Sequence, residues 1–303
     1  MIKLQKIGGL TFSQYTPDDY PHLREYLTLY KYITREALEG FLDYSDFKLS
    51  YPSDANDPLE LLTAEEEPQR DIESEVGFIS LTKKENSPPM WGNYAGKYSG
   101  ACVAFKVPYY KQQYDKAPCE ESVDYQCGYT RAVLKRAGIE VYYFRTRVYN
   151  AHPEVRAAFQ VGDAIYKCVY KKAKPQKYLS EDHWMTHVDS DDKMLSIHKR
   201  WERFFTKKPE WSYEDEYRIL ISHADCSDVR IINGCRMKFS NDLTPYVTQI
   251  ILGAYCEVSY KDVIKRFKSS TTLPRIRNKI QIRKSQFDKK VGDFIYSAAI
   301  AII

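Results

Sequence analysis

The chain has 303 residues, 43% hydrophobic and 28% charged, which is the balance of a globular protein and long enough for one large domain with a sizeable core. A net charge of +4 is too mild to imply nucleic acid by itself, and no apolar run approaches the roughly 20 residues that span a bilayer. Seven scattered cysteines without a C-x-x-C pair point away from a zinc ribbon or a disulfide scaffold and towards reduced thiols in a cytoplasm.

Residues 1 to 26 read as a polar leading arm, and "MIKLQKIGGLTF" lacks an apolar core of signal-peptide length. "TLYKYIT" (28–34) predicts a strand and "REALEGFLDY" (35–44) a helix capped by Thr34. "DFKLSYPSDANDPLE" runs from a short strand into turn chemistry, and "LTAEEEPQRDIESE" (62–75) has no apolar period and predicts an exposed loop or a short helix. "VGFISLT" (76–82) is a compact apolar strand, Pro88 and Pro89 open a helix, and "ACVAFKV" (101–107) is a strand that Pro108 should end. "IEVYYFR" (139–145) predicts another strand, and residues 151–205 carry a helical pattern. "EWSYEDEYRILISH" (210–223), "VRIING" (229–234) and "TQIILGAYC" (248–256) read as strands, residues 257–268 as a helix, and "KIQIRKSQF" as the last strand. The apolar "FIYSAAIAII" suits a buried terminal strand or helix.

No repeat or low-complexity linker divides the chain, so a single domain over 1–303 is expected, with a core at 27–255, a helical insertion at 151–205 and a basic extension at 256–303. Strands and helices are interspersed without regular alternation, which places the fold in the α+β class.

The residues that could carry chemistry begin with Glu214 and Glu216. Two apart on a predicted strand, they share a face roughly 7 Å apart, with Arg218 next on that face. Paired carboxylates bind a metal, share a proton or stabilise a cationic transition state; the same spacing also makes plain surface ion pairs. Lys31 stands between two tyrosines on an early strand, and Ser80 and Thr82 put hydroxyls on one face of an apolar one. In "MWGNYAGKYSG" helical spacing aligns Met90, Trp91, Tyr94 and Tyr98, with Asn93 adding an amide: a binding wall, or a helix turned into the core. His183 and His187 stand four apart without a glutamate or an obvious third ligand, and His198 and His223 stand alone. Residues 261–284 hold nine Lys or Arg against one acid, Asp262, which suits phosphate contacts or a solvated helix face.

In order along the chain, the early basic strand, the hydroxyl strand and the late E-x-E strand resemble the three-part signature of mono-ADP-ribosyltransferases. That resemblance implies an ADP-ribosyltransferase-like fold, a mixed or antiparallel split sheet with helical insertions. It implies NAD as substrate, with Lys31 and Tyr32 at the position that holds the nicotinamide ribose or the phosphates. Ser80 and Thr82 would line the nicotinamide pocket, and Trp91, Asn93 and Tyr94 would follow as a stacking wall. Glu216 would be the catalytic glutamate and Glu214 the acceptor-side one. Lysine departs from the usual Arg or His and lacks arginine's bidentate fork. The motifs "LYKY", "ANDPLE", "ISLT", "PPMWGNYAGKYSGACVAF", "WSYEDEYRIL" and "IILG", over roughly 28–253, are similar to a bacterial domain-of-unknown-function family, DUF2971. The expected protein is thus a cytoplasmic NAD-consuming transferase or glycohydrolase, of the toxin or phage-defence kind. Its acceptor would be protein, nucleic acid or water, with no membrane partner. Two alternatives stand beside it: a metal-dependent nuclease using Asp57, Glu214 and Glu216, and a non-catalytic nucleotide- or partner-binding module.

Overall fold

A computed structural model describes residues 3–7, 10–15, 24–51, 76–110, 138–149, 163–172, 204–269, 279–291 and 293–302. In chain order the elements are β1 (Lys3–Ile7), β2 (Leu10–Tyr15), β3 (Arg24–Ile33), α1 (Arg35–Tyr44), β4 (Phe47–Lys48), β5 (Val76–Thr82), α2 (Pro88–Tyr94), β6 (Ala101–Tyr110), β7 (Val141–Tyr143), β8 (Thr146–Tyr149), β9 (Ala164–Lys167) and β10 (Val169–Tyr170). They continue with β11 (Thr206–Lys207), β12 (Glu216–Ser222), β13 (Asp228–Ile232), β14 (Cys235–Ser240), β15 (Val247–Leu252), α3 (Tyr260–Ser269), β16 (Gln281–Asp288), β17 (Asp293–Tyr296) and β18 (Ala301–Ile302).

The main sheet runs β17-β16-β15-β6-β3-β5-β12-β9-β7, with β18 also beside β16. It is mixed, because β15 and β16 are parallel while β6 pairs antiparallel with both β3 and β15. The α+β class with a mixed sheet therefore holds.

Strand alternation gives the sheet two buried faces. On one, Leu27, Leu29 and Ile33 of β3, Val103 and Phe105 of β6, and Ile219 and Ile221 of β12 meet α1 through Leu38 and Phe41 and α3 through Val263 and Phe267. On the other, Tyr30 and Tyr32 of β3 and Cys102 and Ala104 of β6 meet Met90, Trp91 and Ala95 in and just after α2. Thr34 caps α1 as its sequence predicts, its hydroxyl accepting from the Ala37 N–H at 3.3 Å.

Three strand ends crowd where β3 stops, β6 starts and β15 stops. A Cβ on Gly100 would lie 2.1 Å from the Ile33 carbonyl oxygen, and one on Gly253 2.0 Å from that of Tyr98, so only glycine fits at either position. The feature that positions the site is a parting in the sheet. β3 and β6 pair from Arg24↔Tyr110 to Ile33↔Ala101, whereas β3 meets β5 at the single pair Tyr30↔Thr82. Farther back along β5, Ser50 exchanges both backbone hydrogen bonds with Phe78, at 2.8 and 2.9 Å. Between those two closures the Ser80 carbonyl has, among the described residues, no strand partner on that side and accepts from Lys31 Nζ at 3.2 Å.

Several sequence expectations are corrected. "EWSYEDEYRILISH" is not one strand: Pro209–Glu214 is a 3₁₀ turn, Asp215 adopts φ +42°, and β12 starts only at Glu216. Pro108 does not end β6, which continues to Tyr110; β15 stops pairing at Phe105, and among the described residues no strand pairs with β6 on that side beyond it, so a residue without an N–H is tolerated there. Within the segment read as helical, Ala164–Lys167 and Val169–Tyr170 are strands; in the first, three successive buried residues carry no period that separates strand from helix. "VRIING" ends as a strand at Ile232, and Asn233 and Gly234, both at positive φ, turn the chain into β14. The terminal apolar stretch forms strands, but Ile295 and Ile300 are exposed rather than buried. Residues 62–75, most of 151–205, and Asp57, His183, His187 and His198 lie outside the described residues.

Candidate functional site

A cleft of about 120 Å³ opens at the parting of β3 and β5. Its walls include Lys31 and Ser80 at the parting, Met90 and Tyr94 from α2, Trp211 from the 3₁₀ turn, and the acid pair Glu214 and Glu216.

Glu216 opens β12, opposite Thr82 of β5. Its backbone N–H donates to the Tyr170 hydroxyl at 2.8 Å, and its carbonyl accepts from the Cys168 N–H at 2.8 Å. Because strand side chains alternate, Arg218 lies on the same face and folds back on it: Nε to Oε1 at 2.7 Å and Nη2 to Oε2 at 2.9 Å. Lys207 Nζ reaches the same carboxylate at 2.8 Å. Arg218 itself is buried, its Nη1 donating to the Phe204 carbonyl at 2.8 Å and its guanidinium lying 4.5 Å from the Phe78 ring centre. Burial pushes the Glu216 carboxyl up, but Arg218 and Lys207 outweigh it and hold the pKa down to about 2.

Glu214 closes the 3₁₀ turn, and the left-handed Asp215 brings it back beside Glu216. The two carboxylates thus meet, but through a turn and a shared lysine rather than through strand alternation. The Glu214 carboxylate accepts from the Tyr94 hydroxyl on Oε1 and from Lys207 Nζ on Oε2 at 2.5 Å, and its carbonyl accepts from the Thr82 hydroxyl. Burial and the neighbouring Glu216 charge push its pKa up.

Lys31 is half-buried, and burial lowers its pKa to about 8 against the partial restoring pull of Glu216. An ammonium has three donors. Among the described residues the Ser80 carbonyl is the one hydrogen-bond acceptor recorded for Lys31.

Of the nine residues to which the transferase resemblance gave a role, Lys31, Tyr32, Ser80, Thr82, Tyr94, Glu214 and Glu216 line this cleft, while Trp91 and Asn93 do not. Tyr32 contributes its wall only, because its hydroxyl lies 2.9 and 2.7 Å from the Lys84 and Glu85 carbonyls. Trp91 is fully buried, stacked on Tyr98 at 5.0 Å and edge-on to Tyr32 at 5.1 Å. Asn93 is exposed and donates to the Tyr213 hydroxyl at 3.2 Å. The expected aromatic stripe breaks after Tyr94, where Gly96, Lys97 and Tyr98 all take positive φ. Sequence reasoning missed Lys207, Ser50 and Trp211 and treated Arg218 as a surface neighbour. The E-x-R spacing of Glu216 and Arg218 was a usable signal; nothing in "FFTKKPEW" distinguishes Lys207 from Lys208.

His223 packs edge-on against Tyr51 at 5.4 Å, away from the acid pair. Among the described residues no group of three His, Cys, Asp or Glu is arranged to hold a metal ion. No described helix is long and apolar enough to cross a membrane.

Fold and site together define an α+β protein with a ring-sized, charge-lined cleft at a parting in its main sheet. Residues 90–219 match the model of a family described as "Protein of unknown function (DUF2971)", which supports the similarity drawn from the motifs. No curated protein and no solved structure matches the chain. The matched span carries Met90, Tyr94, Lys207, Glu214, Glu216 and Arg218, whereas Lys31, Ser80 and Thr82 lie before it.

Proposed function

We propose that the cleft takes the nicotinamide-ribosyl end of NAD and breaks its glycosidic bond, as an ADP-ribosyltransferase or an NAD glycohydrolase. The observation that carries this reading is convergence. Lys31, the Ser80 and Thr82 pair, and the Glu214 and Glu216 pair come from three separate segments and line one cleft where the sheet parts. A volume of about 120 Å³ is on the scale of a cavity that holds benzene, so one ring enters and the rest of a dinucleotide lies across the mouth. Lys207 and Arg218 balance the two carboxylates, which leaves Lys31, among the described residues lining the cleft, as the cation available to a phosphate.

In the reaction the bond from ribose C1′ to the nicotinamide nitrogen breaks, and nicotinamide leaves neutral with the bonding electrons. Positive charge then develops on the ribosyl group, where the fixed Glu216 and Glu214 carboxylates stabilise it. Water or an acceptor hydroxyl attacks C1′, and its proton passes to Glu214, whose raised pKa suits it to hold one. An NAD-consuming enzyme of the toxin or phage-defence kind, working in the cytoplasm, is the role this chemistry would serve.

One observation favours a second reading. Both oxygens of Glu216 are held by Arg218, and Lys207 holds it as well, which suits a carboxylate that only shapes a nucleotide-binding site. The metal-dependent alternative draws no support from the same carboxylates, since they face an ammonium and a guanidinium. The test is to incubate purified protein with NAD and quantify free nicotinamide, with Glu216→Gln in parallel. Release by the wild type and its loss in the variant support cleavage. NAD binding without release by the wild type favours the binding module.

A further inference from the structure

Two carboxylates buried against one another ordinarily keep one proton between them, because like charges at this range cannot both ionise without compensation. Here Arg218 compensates one of them, and one further side chain reaches both. Lys207 Nζ lies 2.5 Å from Glu214 Oε2 and 2.8 Å from Glu216 Oε2, and all three side chains are at most 5% exposed. Trp211 covers the ammonium on another side, its ring centre 5.4 Å from Nζ. The partners beyond Lys207 are unequal. Glu216 also has the Nε and Nη2 groups of Arg218, whereas Glu214 has the Tyr94 hydroxyl, which can donate to a carboxylate or accept from a carboxylic acid.

We propose that Lys207 is a positioning residue that keeps the acid pair free of a shared proton, with Glu214 the member that exchanges a proton with whatever occupies the cleft. The architecture around Lys207 fits that task. β11 pairs with β10 in the register Tyr170↔Lys207, so one two-stranded piece delivers the Tyr170 hydroxyl to the Glu216 N–H and the ammonium to its carboxylate. The other titratable groups facing the pair act on one carboxylate each. Lys31 on β3 and Tyr170 on β10 face Glu216, and Tyr213 on the 3₁₀ turn faces Glu214. Among the described residues, Lys207 alone forms an ion pair with both carboxylates.

The inference takes from the proposed function the idea that this acid pair does the work, but its test reads the carboxyl protons directly and needs no NAD turnover. Protein labelled with ¹³C at glutamate Cδ is titrated by NMR, with the two signals assigned by their loss in Glu214→Gln and Glu216→Gln. In Lys207→Met, one carboxyl of the pair is expected to titrate at least about one pH unit higher than in the wild type, a tenfold change in proton affinity. Lys207→Arg restores the wild-type titration, since it returns the charge; a merely space-filling role would not respond this way. Identical titrations in wild type and Lys207→Met, or Lys207→Arg behaving like Lys207→Met, would overturn the proposal. If Lys207→Met alone does not fold, the double variant Lys207→Met/Glu214→Gln removes one charge of each sign and is expected to fold; a double variant that stays unfolded is equally fatal.

Discussion

Lys31 and Glu216 are half-buried and buried charges whose pKa values are both depressed by folding, so each makes the fold more stable as pH rises, in different windows. The Glu216 pKa is held at about 2, below the unfolded value of about 4.3. Its contribution to stability is complete above about pH 4.3 and is lost as pH falls towards 2, because the unfolded chain then binds the proton first. The Lys31 pKa of about 8 lies below its unfolded value of about 10.4. Between those values the unfolded chain holds the extra proton, so this residue makes the fold more stable as pH rises. Urea unfolding across pH should accordingly show an acid limb that flattens in Glu216→Gln and a shallow alkaline gain that disappears in Lys31→Met. Arg218→Met strands a buried carboxylate with Lys207 as its remaining ion-pair partner. The expected cost is about 3–5 kcal/mol, read from the urea midpoint, and a change under about 1 kcal/mol would contradict the pairing.

Elements with strong local signals were legible in the sequence, and their energetics follow from the same signals. The helix at 35–44 is amphipathic and begins at a capping threonine, and α1 has those bounds. Thr34→Ala should cost about 1 kcal/mol through the cap, and Phe41→Ala about 3–5 kcal/mol through the cavity left between Phe47 and Phe267. Equal effects of the two changes would mean that α1 does not pack as described. Gly100→Ala should cost at least about 3 kcal/mol, since the new Cβ meets backbone rather than a movable side chain; a neutral change would contradict the crowding at the ends of β3, β6 and β15. The strand at 76–82 was legible because it is short, apolar and bounded by polar runs. Residues 164–167 were not, because Ala164, Ile165 and Tyr166 are buried in succession, which erases the period-two signal. The Asn233–Gly234 hairpin had its signal in the sequence, and reading the dipeptide as the end of a strand concealed β14.

At the scale of the whole molecule, the parting of β3 and β5 was invisible in the sequence. It arises because Ser50, nearly thirty residues before Phe78, occupies the edge of β5 that β3 would otherwise fill. The meeting of Glu214 with Glu216 was anticipated for the wrong reason. Strand alternation does not bring them together; Lys207 does, from a segment whose sequence carries no mark of it. Lys31, Ser80, Glu214 and Glu216 were singled out as an ordered set along the chain, and all four line the cleft at the parting. The central claim is that the cation left over in this cleft receives the anionic part of a nucleotide. The most direct test is calorimetric titration of ADP-ribose into wild type and Lys31→Met at about pH 7 and about pH 9.5, either side of the Lys31 pKa of about 8. Binding by the wild type at the lower pH, weakened about tenfold at the higher pH and lost to a similar degree in Lys31→Met at both, is the predicted result. Equal affinities for the two proteins at about pH 7, or a wild-type affinity that ignores pH, would contradict it.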